Sequence, residues 1–220
     1  MKAGNERLVS IASGSVSLEG MLELPPSARG VVLFAHGSGS SRHSPRNNFV
    51  AAKLREAGLG TLLIDLLTSA EDEDYDRRFD IALLVERLHD SARWLAAEPA
   101  TRGLPLGLFG ASTGAAAALQ LAAAVPSRIA AVVSRGGRPD LAGIMSLERV
   151  KAPTLLVVGG DDTEVLELNE GAYKHLKCEK SLFVVPGATH LFEEPGTLEI
   201  AARHASDWFT RHLSPALART

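Results

Sequence analysis

From Val31 onwards, short apolar runs alternate with longer stretches that have the periodicity of amphipathic helices. Runs such as Val31–Ala35 and Leu106–Phe109 carry no charge, which is typical of strands buried on both faces. Strands that alternate with helices in this way form parallel sheets. The pattern therefore predicts an α/β fold with a mostly parallel central sheet and helices on both faces.

Two earlier strands, separated by a Ser-Gly-Ser turn, are predicted at Leu8–Ala12 and Val16–Leu24. Neither a repeat nor a linker interrupts the 220 residues, so we predict a single domain spanning 1–220. Further predicted strands are Thr61–Leu67, Ile129–Ser134, Thr154–Val158 and Leu182–Val185, and predicted helices are Phe49–Glu56, Phe79–Glu98, Thr113–Ala124, Val165–Leu176 and Leu198–Leu213. The acidic run Glu71–Asp74 is predicted to be a solvated surface segment.

The net charge and the cysteine content exclude several classes of function and site. The net charge of −3 gives no reason to expect a nucleic-acid partner, which needs a basic face. A single cysteine, Cys178, excludes a Cys-rich zinc site and an internal disulfide, and fits a reducing compartment. Met1–Gly20 does not resemble a secretory signal, and no apolar run is long enough to span a membrane. We expect a cytoplasmic protein that needs no metal.

The segment from Gly110 to Gly114 has the pattern Gly-x-Ser-x-Gly, with Ser112 at its centre. An apolar strand precedes it and a helix-forming run follows it, which is the context of a nucleophile elbow. Glycines flank the serine because side chains there would collide with neighbouring backbone. We therefore predict Ser112 as a nucleophile; an ordinary helix-capping serine is the alternative.

A serine hydroxyl needs a base to remove its proton, and the base in turn needs an acid. His190 follows the last predicted strand in a glycine-containing loop, at the sheet edge where α/β proteins bind ligands. Asp161 and Asp162 follow the strand at Thr154–Val158, at the same edge. From the residues alone, either aspartate could face the histidine.

An acyl-transfer site also needs backbone N–H groups that bind the developing oxyanion. The residue after the nucleophile, Thr113, is one expected donor. The small residues of the loop His36–Ser41 allow close approach to a ligand, and we assign the second donor to Ser38, with Gly37 as its neighbour. The alternative is a flexible Gly-Ser turn.

These segments resemble the α/β-hydrolase superfamily, and the compact chain resembles its dienelactone-hydrolase-like branch. The resemblance implies that the acid is Asp162, three residues after Gly159, and it matches Gly187-x-x-His190 and His36-Gly37. Dienelactone hydrolases proper have a cysteine nucleophile, whereas this position is Ser112. The resemblance therefore implies a serine esterase, acting without a cofactor, rather than a dienelactone-specific enzyme.

About 18 residues separate the strand at Ile129–Ser134 from the next strand, too few for a helical cap domain. We therefore expect no cap domain and an open site. Within this segment, Arg135 or Arg138 is predicted to bind a substrate carboxylate or phosphate, although pairing with Asp140 or the acidic run is an equal alternative.

The leading prediction is a serine hydrolase that cleaves a small carboxylic ester, thioester or lactone through an acyl-enzyme. The same Ser-His-Asp machinery could instead perform acyl transfer or peptide-bond cleavage. A third alternative is a non-catalytic hydrolase-like module that binds a small ligand or a protein.

Overall fold

A computed structural model of the protein describes residues 5–213, and one sheet of eight strands runs through them. The strands lie in the order β1-β2-β4-β3-β5-β6-β7-β8, where β1 to β8 are Asn5–Ser13, Val16–Leu24, Val31–Ala35, Gly60–Ile64, Leu106–Ala111, Ile129–Arg135, Thr154–Gly159 and Lys180–Val185. β1 and β2 form an antiparallel hairpin, and β2 is also antiparallel to β4. All other neighbours are parallel, so the predicted sheet is confirmed.

Helices cover both faces of the sheet, as the alternating pattern predicts. In chain order, α1 to α7 are Pro45–Glu56, Ser69–Asp72, Ile81–Ala97, Thr113–Ala124, Ile144–Arg149, Thr163–His175 and Thr197–His212. One apolar core joins α3, α4, α5 and α6 to one face, and a second joins α1 and α7 to the other. Only two short helical segments, Pro139–Ala142 and α5, lie between β6 and β7, so no cap domain is evident there.

Helix α4 is buried almost throughout because its sequence is rich in alanine. Ala115, Ala116, Ala117 and Ala118 are all fully buried. Small side chains let the helix pack closely against the neighbouring strands and helices. This packing fixes the first turn of α4, and with it the segment that follows β5, at the carboxyl edge of the sheet.

Several boundaries differ by a few residues from the sequence prediction, among them the start of α1 and the end of β4. Helix α1 begins at Pro45 rather than Phe49, because the Ser44 side chain accepts a hydrogen bond from Asn47 N–H and proline fits the first turn. β4 ends at Ile64 rather than Leu67. The predicted domain 1–220 includes residues 1–4 and 214–220, which lie outside the described part of the chain. No helix within residues 5–213 is long and apolar enough to cross a membrane.

The prediction that Glu71–Asp74 is a solvated segment is wrong for Glu71. Glu71 closes a capping box with Thr68 at the start of α2, and its carboxylate accepts a hydrogen bond from Arg87 Nη2 at 3.0 Å. Arg87 is also buried and donates to the carbonyl of Ser13. Burial opposes ionisation of Glu71, but the Thr68 hydrogen bond and the Arg87 charge together lower its pKa. The pair joins the β1–β2 hairpin to α2 and α3.

We expect Glu71→Gln to destabilise the protein by about 3 to 5 kcal/mol, because it leaves the buried Arg87 guanidinium without its counter-ion. Urea unfolding measures the loss. Lys53→Met is the matched control, because Lys53 and Glu56 form an exposed ion pair and its removal changes stability by less than about 1 kcal/mol. Equal effects of the two substitutions would show that the buried pair does not stabilise the fold.

Candidate active site

Ser112 lies in a strained turn between β5 and α4. Its φ is 50° and its ψ is −123°, a backbone conformation that residues other than glycine rarely adopt. Such strain is characteristic of a nucleophile elbow, in which the turn exposes the hydroxyl above the sheet. Here Ser112 borders an open cavity of about 240 Å³.

The two flanking glycines are required by close backbone contacts. A Cβ on Gly110 would lie 2.4 Å from the Cα of Ala115, and a Cβ on Gly114 would lie 2.2 Å from the carbonyl oxygen of Ala35. Both distances are far shorter than any real carbon contact. The Gly-x-Ser-x-Gly pattern therefore reflects the packing of α4 against β3 and β5.

His190 and Asp162 meet at the same edge of the sheet. His190 Nδ1 donates to Asp162 Oδ2 at 2.7 Å, which leaves Nε2 as the ring nitrogen that can accept a proton. The imidazole is 40% exposed and the carboxylate 13% exposed. Asp161 is exposed, and its backbone N–H donates to the carbonyl of Ala188. Of the two adjacent aspartates, Asp162 is the one that contacts the histidine.

Gly159 brings the acid loop and the base loop together. A Cβ at this position would lie 2.2 Å from the carbonyl oxygen of Ala188, so any side chain would separate the two loops. Ala188 is fully buried two residues before His190. The glycine at the end of β7 thus determines how closely Asp162 and His190 approach each other.

Ser112 and His190 border the same cavity, so the three predicted side chains lie at one end of the sheet. No hydrogen bond joins Ser112 Oγ to His190 among the described residues. Nearby backbone bonds hold the elbow in place: the Ser112 carbonyl accepts from Arg138 N–H at 3.0 Å and from Ala115 N–H at 3.1 Å. The arrangement can support proton transfer from a serine to a histidine once the two side chains come into contact.

The two predicted oxyanion donors differ in their present contacts. Thr113 is the first residue of α4, so no preceding helical turn offers its N–H an acceptor. Ser38 N–H already donates to Thr113 Oγ1 at 3.0 Å, so a ligand would have to compete with that hydroxyl. Gly37 packs against the elbow, where a Cβ would lie 2.9 Å from that of Ser112. The loop that contains Gly37 and Ser38 therefore lies beside Ser112.

His36 has a structural role that its sequence position does not reveal. It is 6% exposed; its Nε2 accepts from Leu66 N–H at 2.9 Å and its Nδ1 lies 2.9 Å from the Gly37 carbonyl. The ring is therefore neutral, with its proton on Nδ1. It ties the loop after β3 to the segment after β4. Burial lowers the pKa of His36, although Gly37 and the nearby carboxylates of Asp65 and Asp72 oppose the shift.

The lowered pKa of His36 predicts that stability decreases as the pH falls below about 6.5. In that range the unfolded chain binds a proton at His36 that the folded protein excludes, so this residue contributes a slope of up to about 1.4 kcal/mol per pH unit to the free energy of unfolding. Urea unfolding at several pH values between 7.5 and 5.5 measures it. His36→Gln should reduce the slope; an unchanged slope would contradict this origin.

The structure separates the two predicted anion-binding arginines. Arg138 forms two hydrogen bonds with Asp140, at 2.9 and 2.8 Å, and does not border the cavity. The Asp140 hydrogen bonds are the largest of the effects that raise its pKa. Arg135 borders the cavity beside Ser112, is 7% exposed, and has no carboxylate partner among residues 5–213. Of these two arginines, only Arg135 therefore borders the cavity.

A second, more apolar cavity of about 170 Å³ lies at the opposite edge of the sheet, near Val31 and Leu106. Its described lining residues include neither a serine nor a cysteine, so the chemistry favours the Ser112 cavity. Within residues 5–213, no three His, Cys, Asp or Glu side chains are grouped to hold a metal ion.

A sequence model of the dienelactone hydrolase family matches residues 18–214. The chain belongs to the dienelactone hydrolase family. A solved dienelactone hydrolase from Anabaena variabilis is 54% identical, with 96% of this chain and 99% of that one covered and a TM-score of 0.92. The family and this relative support a hydrolase, and they confirm the resemblance seen in the sequence. The elbow of this family member carries a serine.

Two further proteins resemble this chain, one in fold and one in sequence. Est1E from Butyrivibrio proteoclasticus shares the fold, with a TM-score of 0.80, 16% identity, and 93% of this chain and 98% of that one covered. A Mycobacterium tuberculosis protein provisionally named a phosphoribosyl transferase is 58% identical over 205 residues, which are 93% of this chain but 46% of that protein. The chain thus spans about half the length of the curated relatives it matches.

Proposed function

We propose that this protein is a serine hydrolase that cleaves a small carboxylic ester, thioester or lactone through an acyl-enzyme. The observation that carries the proposal is the 2.7 Å contact between His190 and Asp162 at the cavity that Ser112 borders. Membership of this hydrolase family also supports a small-molecule substrate. The single cysteine and the absence of a basic charge excess favour action in the cytoplasm on a substrate other than nucleic acid.

In the proposed mechanism, His190 removes the proton of Ser112 as the serine oxygen attacks the carbonyl carbon. Asp162 holds the imidazole with its proton on Nδ1 and stabilises the imidazolium that forms. The Thr113 N–H binds the oxyanion, and the substrate oxygen displaces the Thr113 hydroxyl from the Ser38 N–H. His190 then protonates the leaving group, and water releases the acyl group by the same steps in reverse order.

Acyl transfer and peptide cleavage are alternative outcomes of the same acyl-enzyme chemistry. A cavity of about 240 Å³ fits a short acyl group rather than an extended peptide, and it favours hydrolysis because it is open to water. The Mycobacterium tuberculosis relative matches this chain over only 46% of its own length, so its name does not identify the activity of the matched segment.

A substrate panel tests the proposal. It contains p-nitrophenyl esters of increasing chain length, a thioester, a lactone and a p-nitroanilide. We expect turnover of at least one oxygen or sulfur ester or the lactone, with preference for short acyl chains and a burst of the first product. Failure to hydrolyse any member would contradict the proposal and favour a non-catalytic binding module.

A further inference from the structure

The segment at the end of β6, residues 135–138, holds the backbone of Ser112 by two hydrogen bonds. The Arg135 carbonyl accepts from Ser112 N–H at 3.4 Å, and Arg138 N–H donates to the Ser112 carbonyl at 3.0 Å. Because Ser112 has a φ of 50°, its strained conformation persists only where the surrounding contacts fix it. Residues 135–138 supply such contacts on both sides of the peptide unit.

Gly137, in the middle of this segment, packs against the first turn of α4. A Cβ at Gly137 would lie 2.5 Å from that of Ala115 and 2.0 Å from Ser134 Oγ, so no side chain fits there. Ala115 N–H also donates to the Ser112 carbonyl at 3.1 Å, which places this contact beside the nucleophile. Since the packing leaves no free space, a displacement of Gly137 would be transmitted to the turn that holds Ser112.

The side chain of Asn169, in the middle of α6, binds the backbone of this glycine. Its Nδ2 donates to the Gly137 carbonyl at 2.9 Å and to the Val165 carbonyl, one turn earlier in α6, at 2.8 Å. Asn169 is fully buried, and its Oδ1 has no hydrogen-bond partner. The fold therefore uses the donor of this amide and leaves its acceptor unpaired.

A buried amide with an unpaired oxygen costs free energy, and asparagine is also a poor helix former. Within the described residues, the side chain of Asn169 makes one hydrogen bond outside its own helix, the one to Gly137. Helix α6 begins directly after Asp162, which is its N-cap residue. Asn169 thus joins the helix that follows the candidate acid to the segment that holds the candidate nucleophile.

We propose that Asn169 is a positioning residue for the reaction at Ser112: it fixes residues 135–138, and with them the nucleophile elbow, relative to Asp162. The proposal rests on the proposed hydrolysis. Asn169 does not border the cavity, so it does not touch a substrate there. Its loss should lower kcat and leave KM nearly unchanged, because a displacement of reacting groups by about 1 Å can slow a reaction roughly 100-fold.

Asn169→Ser is the test variant. A serine hydroxyl in a helix bonds to the carbonyl four residues earlier, here Val165, and its oxygen ends one bond short of the atom that contacts Gly137. We expect kcat for the best ester to fall about 10- to 100-fold and KM to change less than about threefold. Asn169→Leu, which keeps the side-chain volume but removes both donors, should lower kcat similarly. If one variant fails to fold, the other provides the result.

Thr101→Val is the matched control for lost stability. Thr101 is also buried, and its Oγ1 donates to the Leu95 carbonyl at 2.6 Å, beside the apolar cavity at the opposite edge of the sheet. Both substitutions remove a buried hydrogen bond, so both should lower Tm, but only Asn169→Ser should lower kcat. If the two variants have the same kcat, Asn169 supports the fold alone and the proposal is overturned.

Hydrogen exchange tests the same link without turnover. Arg138 N–H, which bonds to the Ser112 carbonyl, should exchange at least about tenfold faster in Asn169→Ser than in Thr101→Val. Equal exchange of this amide in the two variants would overturn the proposal. If the unsubstituted protein hydrolyses no member of the substrate panel, the proposed function fails, and the exchange rate still decides whether Asn169 holds the segment. An active protein whose kcat is unaffected by Asn169→Ser contradicts the positioning role alone.

Discussion

Replacing Ser112 with alanine should lower kcat for the best substrate by roughly 10⁴- to 10⁶-fold. Without the hydroxyl, His190 has no nucleophile to activate and no acyl-enzyme can form. The fold should remain intact, because the substitution removes one oxygen atom and leaves the close backbone contacts at Gly110 and Gly114 unchanged. Steady-state kinetics measure the loss, and circular dichroism checks that the variant is folded.

Cys178→Ser is the matched control, because the elbow of a dienelactone hydrolase proper carries a cysteine. Cys178 lies in the turn between α6 and β8, where its sulfur contacts Thr154 Oγ1 at 3.7 Å. Partial burial raises the pKa of this thiol, which makes it a poor nucleophile. We expect Cys178→Ser to keep the activity of the unsubstituted protein. Loss of activity in this variant, with Ser112→Ala still active, would assign the chemistry to the cysteine.

Asp162→Asn should lower kcat by about 10⁴-fold. The neutral amide introduced by this substitution cannot supply the negative charge that stabilises an imidazolium at His190. It would also favour the tautomer whose proton is on Nε2, and that tautomer cannot accept the proton of Ser112. Kinetics over a range of pH on the folded variant measure the effect.

Asp161→Asn provides a control at the neighbouring position. Asp161 is exposed and contacts Ala188 only through its backbone N–H, so the substitution should change kcat by less than about threefold. An outcome in which Asp161→Asn is inactive and Asp162→Asn is active would contradict the assignment of the acid.

Local sequence signals were sufficient to predict the sheet and to place Ser112 and His190 at the same edge of it. Apolar runs predict strands because those of a parallel sheet are buried on both faces, and the connections between parallel strands bring distant residues to one edge. The glycines at 110 and 114 indicate the elbow because backbone atoms lie within 2.4 and 2.2 Å of where their side chains would begin.

The remaining features depend on contacts between segments that are far apart in the chain. In the sequence Glu71 is part of a charged run, and only the structure shows that Arg87, 16 residues away, faces it. Arg135, at the end of β6, and Arg138, just beyond it, look equivalent in sequence. Only the structure shows that Arg138 pairs with Asp140, whereas Arg135 packs against Asn47 and Phe192. The contact between Ser38 N–H and the Thr113 hydroxyl, 75 residues apart, is likewise invisible in the sequence. Which polar groups pair with each other is therefore decided by the tertiary structure.

The most direct test of the account is reaction with a fluorophosphonate probe, followed by mass spectrometry of the digested protein. We predict one covalent adduct on Ser112, no adduct in Ser112→Ala, and much slower labelling in Asp162→Asn. Folded protein that remains unlabelled at Ser112, or that is labelled at another residue, would contradict the central claim that this serine is an activated nucleophile.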